Sequence, residues 1–281
     1  MSRQATEPLT WGHFYDNSRI ASHNVVAHAL VAGDKVAERW EPATTMALLA
    51  FYQLVQVNAI SLTPSLAKQL IGLKQFTDLD LRQITLGGEI ADQNILNRLK
   101  VAFPQSRLSH VYATTETGSL FSVSDEIAGF PATMLDRPIG NGAYSLHVEQ
   151  GFLVIKEITS GKTWESGDSV NLETESGRVV FTGRQQQVVK VGGRKVYLEK
   201  VRSAICSNSG VIDAVVYSVS NPFLGHTVEA DVWLNSENSQ ARLLLLSRLG
   251  EQLEKWEKPV RVNWVQNIEL SPNGKVGLKN A

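Results

Sequence analysis

Phe181-Thr-Gly-Arg-Gln-Gln-Gln-Val-Val-Lys-Val-Gly-Gly-Arg-Lys-Val-Tyr-Leu-Glu199 is the stretch on which the organisation of the chain turns. The apolar run Val179-Val-Phe181 ends in Thr182-Gly183-Arg184, three glutamines follow, and Val188-Val-Lys-Val191 then resumes an alternation suited to a strand. Gly192-Gly193 is a tight-turn signal, and the apolar spacing from Lys195 to Ile205 predicts a helix. The glutamine run is polar, has no periodic face and separates two regions that each look self-contained. It reads as the pivot between an N-terminal domain, 1–183, and a C-terminal domain, 184–281. An ordinary hairpin loop would show the same pattern, and the local residues do not separate the two readings.

Composition narrows the class. The chain has 281 residues, 43% hydrophobic and 20% charged, which is ordinary for a globular protein of one large or two small domains. A formal charge of -1 gives no electrostatic reason for a nucleic-acid or anionic-membrane partner. The single cysteine, Cys206, excludes an internal disulfide and suits a reducing compartment. The polar N-terminus lacks a signal peptide's apolar segment, and the apolar stretch Met46–Leu62 is broken by Gln53, Gln56 and Asn58, so no membrane span is expected. The expected location is the cytoplasm.

Residues 1–20 carry Trp11, His13, Phe14 and Tyr15 without a clear period and cannot be assigned. Asn24–Leu30 predicts a helix stopped by Gly33-Asp34. A buried helix over Met46–Val55, a strand over Val57–Leu62, a helix over Leu66–Leu73 capped by Ser65, and a strand over Arg82–Leu86 closed by Gly87-Gly88 follow. Asp92 should cap a helix running to Phe103. This alternation argues for an α/β layered fold. From Phe121 to Val180 the pattern is strand-like, with Ser166-Gly167-Asp168 expected in a turn. After the pivot, helices over Leu198–Asn208 and Gln240–Trp256 and strands over Ile212–Val219, Thr227–Leu234 and Val260–Val265 predict a small α+β domain.

Leu108–Tyr112 reads as a strand that opens into Ala113-Thr-Thr-Glu-Thr-Gly118. The ends of strands in open α/β sheets are where ligands sit. Hydroxyls and backbone N–H groups there can hold phosphate oxygens, Glu116 can ligate Mg²⁺, and Tyr112 offers a stacking face. The other reading is a capped turn with threonine as N-cap and glutamate as its box partner. The histidines at 13, 23, 28, 110, 147 and 226 form no metal-ligand spacing, and there is no Gly-x-Ser-x-Gly elbow. His110 faces either an acyl pocket or its own backbone.

Six segments taken in order carry more than any one alone. Leu86-Gly-Gly-Glu89, Tyr112-Ala-Thr-Thr-Glu-Thr-Gly118, Trp164-Glu-Ser-Gly-Asp168, Phe181-Thr-Gly-Arg184, Val191-Gly-Gly-Arg-Lys-Val-Tyr197 and Ser271-Pro-Asn-Gly-Lys275 resemble successive core motifs of the adenylate-forming (ANL) superfamily, most closely its acyl-CoA synthetase branch. The resemblance runs from about Thr63 to the C-terminus. It implies a shortened ANL-type N-terminal α/β domain joined by a hinge to a small mobile α+β domain. It also implies an acid–thiol ligase that activates an acyl or aryl acid as its adenylate with ATP and Mg²⁺, then passes it to CoA or to the phosphopantetheine of a carrier protein.

The same resemblance assigns roles by position. Gly88 and Glu89 would line the adenine pocket, with Tyr112 stacked on the base and Ala113 and Thr114 in the same nucleotide-binding set. Thr115 would contact the α-phosphate, Glu116 would hold Mg²⁺, and Asp168 and Arg184 would bind the ribose. Lys275 would bridge the carboxylate and the α-phosphate, where a cation stabilises charge on the pentavalent phosphorus. Rotation about Gln186 would then bring the Gly192-Gly193 turn to the site for thiol attack.

Three departures stand out. No Ser/Thr/Gly-rich phosphate loop ending in lysine precedes the Tyr-Ala-Thr-Thr-Glu segment, and the region before Thr63 is shorter than the family's N-terminal subdomains. The usual acidic hinge residue is Gln186. The usually acidic helix start after the glycine turn reads Leu198-Glu-Lys-Val-Arg202. These departures fit either a minimal ligase or a catalytically incomplete relative that binds acyl-adenylates or acyl groups, regulates, or is completed by a partner. Apolar surface left by the shortening would favour a homodimer.

Overall fold

A computed structural model describes residues 7–40, 44–114, 116–184, 187–235 and 238–270. The first layer is a six-stranded sheet in the order β2-β1-β3-β4-β5-β6. Its strands are β1 (Thr10–His13), β2 (Lys35–Val36), β3 (Ala59–Leu62), β4 (Gln83–Gly87), β5 (Arg107–Thr114) and β6 (Gly118–Val123). All pair in parallel except β6, which returns antiparallel along β5. The helices that connect them are α1 (Ile20–Ala32), α2 (Thr45–Leu54), α3 (Pro64–Leu70), α4 (Lys74–Thr77) and α5 (Gln93–Ala102).

Period-two alternation decides what each face of this sheet meets. Ile60 and Leu62 of β3 and Ile84 and Leu86 of β4 form one buried cluster with Leu48, Tyr52, Ala67, Phe76, Leu96 and Leu99 from α2, α3, α4 and α5. Ala59 points the other way and packs with Trp11 and with Ala29 of α1. The first strand, in the stretch that carried no readable period, is anchored by distant partners. Asn58 Oδ1 accepts from the Thr10 N–H at 2.8 Å, and Asp34 accepts from the Leu9 N–H and the Trp11 indole.

The second sheet is antiparallel, in the order β7-β11-β10-β9-β8, from β7 (Phe130–Pro131), β8 (Tyr144–Glu149), β9 (Phe152–Glu157), β10 (Thr163–Glu173) and β11 (Arg178–Arg184). Its apolar face packs on Leu120, Phe121 and Val123 of β6. The third sheet, in the C-terminal unit, has the order β13-β12-β15-β14 with β16 parallel to β15. It contains β12 (Val188–Val191), β13 (Arg194–Tyr197), β14 (Val211–Asn221), β15 (Gly225–Leu234) and β16 (Arg261–Val265), with α6 (Leu198–Cys206) and α7 (Ser239–Gln252) packed on it around Val201, Ile205, Ala230 and Leu249.

Several expectations are corrected. Ser166-Gly167-Asp168 is not in a turn but inside β10. The register against β9 slips between Glu165 and Ser169, and Gly167 has φ +75, so a bulge gives a strand the composition of a loop. Lys195–Tyr197 belongs to β13 rather than to a helix. Gly192 and Gly193, at φ +55 and +81, make a two-residue hairpin turn that returns the chain along β12, and α6 begins only at Leu198. The cap of α3 is Thr63, whose Oγ1 accepts from the Leu66 N–H at 3.2 Å, with Pro64 in the first turn, and not Ser65. Helix α7 stops at Gln252, short of Trp256. The Asp92 cap is as expected, accepting from the Ile95 N–H at 2.9 Å.

Candidate nucleotide cleft

The segments that follow β4 and β5 open into a cleft of about 540 Å³ where all three sheets meet. Gly88, Glu89, Ile90 and Ala91 come from the turn after β4. His110 to Thr114 and Glu116 come from the end of β5 and the turn beyond it. Ser166 and Asp168 come from β10, Phe181 and Arg184 from β11, and Leu198, Glu199 and Arg202 from α6. Gly88 and Glu89 therefore share one cleft with Tyr112, Ala113, Thr114, Glu116, Asp168 and Arg184, although β4 and β11 lie far apart in sequence. Gly192 and Gly193 sit at the hairpin turn outside this lining. Thr115, Gln186 and Lys275 lie outside the described residues.

One hydrogen-bonded chain joins the parallel-sheet unit to the second sheet. Tyr112 Oη donates to Asp168 Oδ2 at 2.7 Å, and Arg184 Nε donates to Asp168 Oδ1 at 3.0 Å. Asp168 lies directly opposite Arg184 across the β10–β11 ladder, which brings the two side chains together. The bulge fixes the aspartate further, since its N–H donates to Ser166 Oγ, which in turn donates to the Leu153 carbonyl. Asp168 is 8% exposed at its side chain and Arg184 is 61% exposed, so the carboxylate is buried and its cation faces the opening. Burial first, and then the Asp168 charge, hold the Tyr112 hydroxyl well above the ordinary tyrosine range.

The Tyr112 ring is nearly parallel to both Phe121 and Phe181, with centroids 5.2 Å away in each case. Both are offset contacts, and the ring still lines the cleft. A base would stack only on the part those two rings leave open. Beyond Tyr112, Thr114 Oγ1 accepts from the Thr117 N–H at 3.2 Å and lies 2.9 Å from the Thr117 hydroxyl. This is a threonine-capped turn, the alternative the sequence allowed, and it leads directly into β6.

The 125–129 segment, which brings Gly129 to the cleft, was not foreseen. Arg178, 6% exposed, donates to the carbonyls of Ile127, Ala128 and Gly129 and to the Asp125 carboxylate, so one guanidinium holds the whole 125–129 segment. Gly129 there lines the cleft at φ +74, and a Cβ would come 2.2 Å from the Val179 carbonyl oxygen. His110 Nε2 donates to the Ile127 carbonyl at 3.2 Å, and burial lowers its pKa, so it is both a cleft residue and a backbone-bonded one. Glu199 and Arg202 also escaped the sequence reading. The charged helix start noted at 198–202 was their only signal.

Among the described residues, no group of three or more His, Cys, Asp or Glu side chains could hold a metal ion. A magnesium ion needs less, one or two carboxylates together with substrate phosphates. Glu116, between Thr114 and Thr117 in sequence and exposed at the cleft, carries a carboxylate of the type such an ion takes.

The relatives agree with this architecture. No protein-family model matches the chain. It is 23% identical over 272 residues to tyrocidine synthase 3 of Brevibacillus parabrevis, covering 85% of this chain and 4% of that protein. It is 24% identical over 273 residues to a 4-chlorobenzoate–CoA ligase of Arthrobacter sp, covering 85% of this chain and 52% of the ligase. The crystal structure of the anthranilate CoA ligase AuaEII with anthranoyl-AMP superposes with a TM-score of 0.78 at 15% identity, over 96% of this chain and 58% of that one. In sequence the chain is similar to peptide synthetases and aryl-CoA ligases, and its fold is that of solved adenylate-forming (ANL) ligases. The chain spans about half the length of the CoA ligase and a small fraction of the peptide synthetase. No helix among the described residues is long and apolar enough to cross a membrane.

Proposed function

We propose that the chain activates a carboxylic acid as its adenylate and passes the acyl group to a thiol. The observation that carries this reading is the Tyr112–Asp168–Arg184 chain, assembled from three strands beside Gly88, Glu89, Thr114 and Glu116 in one cleft. A buried carboxylate with an exposed cation beside it suits a ribose diol, which donates to the first and accepts from the second. Glu89 would face the adenine, and hydroxyls of the 114–117 turn the α-phosphate. Mg²⁺, when bound through Glu116 and the phosphates, would offset phosphate charge.

In the first step the acid's carboxylate oxygen attacks the α-phosphorus, the α–β phosphoanhydride bond breaks, and pyrophosphate leaves. Lys275 would steady the charge on the pentavalent phosphorus. In the second a thiol of CoA or of a carrier pantetheine gives up its proton and attacks the acyl carbon, and AMP departs with the electrons of the acyl–oxygen bond. The C-terminal domain, 184–281, would turn about Gln186 between the two steps.

The test is pyrophosphate release from MgATP with pooled aliphatic and aromatic acids, with Lys275→Ala alongside. Release that needs both an acid and Lys275 supports the reading. Release undiminished in Lys275→Ala removes that lysine's role.

A second reading, an adenylate-binding relative that does not turn over, is favoured by one specific observation. Both arginines of the described cleft lining are already paired with carboxylates, Arg184 with Asp168 and Arg202 with Asp213 and Glu199. They add little net charge for a triphosphate. AMP binding without acid-dependent pyrophosphate release would select this reading. Leu30 and Val31 of α1, 68% and 91% exposed, mark where the expected self-association would form. A monomer by sedimentation at high concentration removes that expectation.

A further inference from the structure

The cleft has one wall that belongs to the C-terminal unit, and a buried ionic seam holds that wall in place. Lys68 of α3 is 1% exposed and lies 2.7 Å from Asp92 Oδ2 of its own unit. Its Nζ is also 3.8 Å from Oδ1 of Asp213, a fully buried residue of β14. The same Asp213 oxygen accepts from Arg202 Nη2 at 2.7 Å. Arg202 then reaches back across the seam, donating to Ser65 Oγ of α3 at 3.3 Å, while its Nη1 pairs with Glu199 at 3.2 Å and its Nε donates to the Ala214 carbonyl. A neutral bond lies alongside, from Asn94 Nδ2 of α5 to the Cys206 carbonyl at the end of α6.

Two cations, one from each unit, thus share one buried carboxylate. Each unit has its own apolar cluster, so neither needs the seam to fold its interior. The groups the seam does hold are those at the cleft. Glu199 and Arg202 line it from α6, and the Ser65 N–H donates to Glu89 Oε2 at 3.0 Å on the other side. An acidic residue at 202 would face Asp213 and Glu199 as like charges, whereas arginine pairs with both.

We propose that Lys68 and Arg202 are positioning residues that clamp the C-terminal unit to α3 through Asp213, and thereby set the α6 wall of the nucleotide cleft. This rests on reading the cleft as the nucleotide site. In the clamped arrangement α6 faces the cleft and the Gly192-Gly193 turn does not. Any swing of the C-terminal unit must first separate Lys68 and Ser65 from Asp213 and Arg202.

The test uses the full chain and AMP as the probe, with affinity from calorimetry and radius of gyration from X-ray scattering. Lys68→Met should enlarge the radius and weaken AMP binding about tenfold, the size of one lost charge-assisted contact. Lys68→Arg, which keeps the charge, should recover most of both. A Lys68→Met protein with wild-type radius and affinity overturns the proposal, and so does a Lys68→Arg protein no better than Lys68→Met. Should Lys68→Met lose its circular-dichroism signal, Asn94→Ala decides, because it removes a cross-seam bond and strands no charge. A larger radius and weaker AMP binding in Asn94→Ala support the clamp, and unchanged values overturn it. If the wild type binds no AMP, the nucleotide reading falls, and the scattering comparison alone still decides the clamp.

Discussion

One aspartate–arginine pair, Asp168–Arg184, joins two strands at the cleft and another, Asp213–Arg202, lies at the seam, and the two differ in what surrounds them. Asp168–Arg184 has a buried acid and a cation 61% exposed. In Asp213–Arg202 both partners are enclosed, at 0% and 13%, with Lys68 beside them at 1%. Charges exchanged with water are cheap to separate, while enclosed ones are costly to strand. The first pair can therefore part at little cost, and the second resists separation. The same two residue types thus make two unlike pairs, one open to solvent and one enclosed.

Breaking the joint should give the largest effect. Asp213→Ala leaves Arg202 and Lys68 facing each other without the acid between them. Burial works against the Arg202 charge and Asp213 followed by Glu199 outweighs it; an arginine does not give up its proton in a protein, so without Asp213 its enclosed charge loses the largest of these offsets. The expected loss is about 3–5 kcal/mol, measured by urea unfolding. A loss as small as that of an exposed pair would mean that water reaches the seam.

Next comes the 125–129 segment, whose Gly129 lines the cleft. Gly129→Ala puts a Cβ 2.2 Å from the Val179 carbonyl oxygen at a φ of +74, so the 125–129 segment has to shift away from β11. The left-handed conformation alone costs about 1–2 kcal/mol for a residue with a Cβ, and relief of the contact adds to it. A variant that keeps the wild-type melting temperature would show that this wall is looser than the Arg178 fork implies.

Arg184→Ala should cost less than about 1 kcal/mol of stability, because its cation stands largely in water. Nucleotide affinity is the sensitive readout. If the guanidinium contacts the ribose, AMP binding should weaken about tenfold or more, as for a charge-assisted hydrogen bond. Unchanged affinity alongside unchanged stability would make Arg184 a surface residue and sharpen the contrast with Arg202 further.

How much of this could be read from the sequence depends on how local each signal is. The strand-turn units at Leu86–Glu89 and Tyr112–Gly118 announce themselves through apolar alternation followed by glycine and hydroxyl residues, and they form the floor of the cleft. Asp168 was found as a motif and misplaced as an element, because a bulged strand and a turn share glycine and polar residues. The seam left almost no trace. Lys68 sits on a helix whose neighbours look ordinary, and its partner Asp213 belongs to a strand far along the chain, so no spacing rule connects them. The same holds for Arg178, whose acceptors are backbone carbonyls and carry no sequence signature.

The smallest effect, and the one that separates cleft from seam by pH, comes from His110. Burial lowers its pKa below the ordinary 6.5, so the folded state binds fewer protons than the unfolded chain just below that pH. Stability then rises with pH across that window and is lost as pH falls below about 6.5 toward the folded value. Asp92 works lower on the scale. Burial opposes its charge, Lys68 more than offsets this, and its pKa falls below the ordinary 3.8. Its contribution is complete above that value and lost only as pH falls through the folded pKa. His110→Gln keeps a donor for the Ile127 carbonyl and removes the titration, so the unfolding midpoint should fall less between pH 6.5 and 5 than in the wild type. The steep loss below pH 4 should be unchanged. Identical midpoints across the upper window would show that His110 titrates as freely as a histidine in water, and that the cleft is open to solvent at that wall.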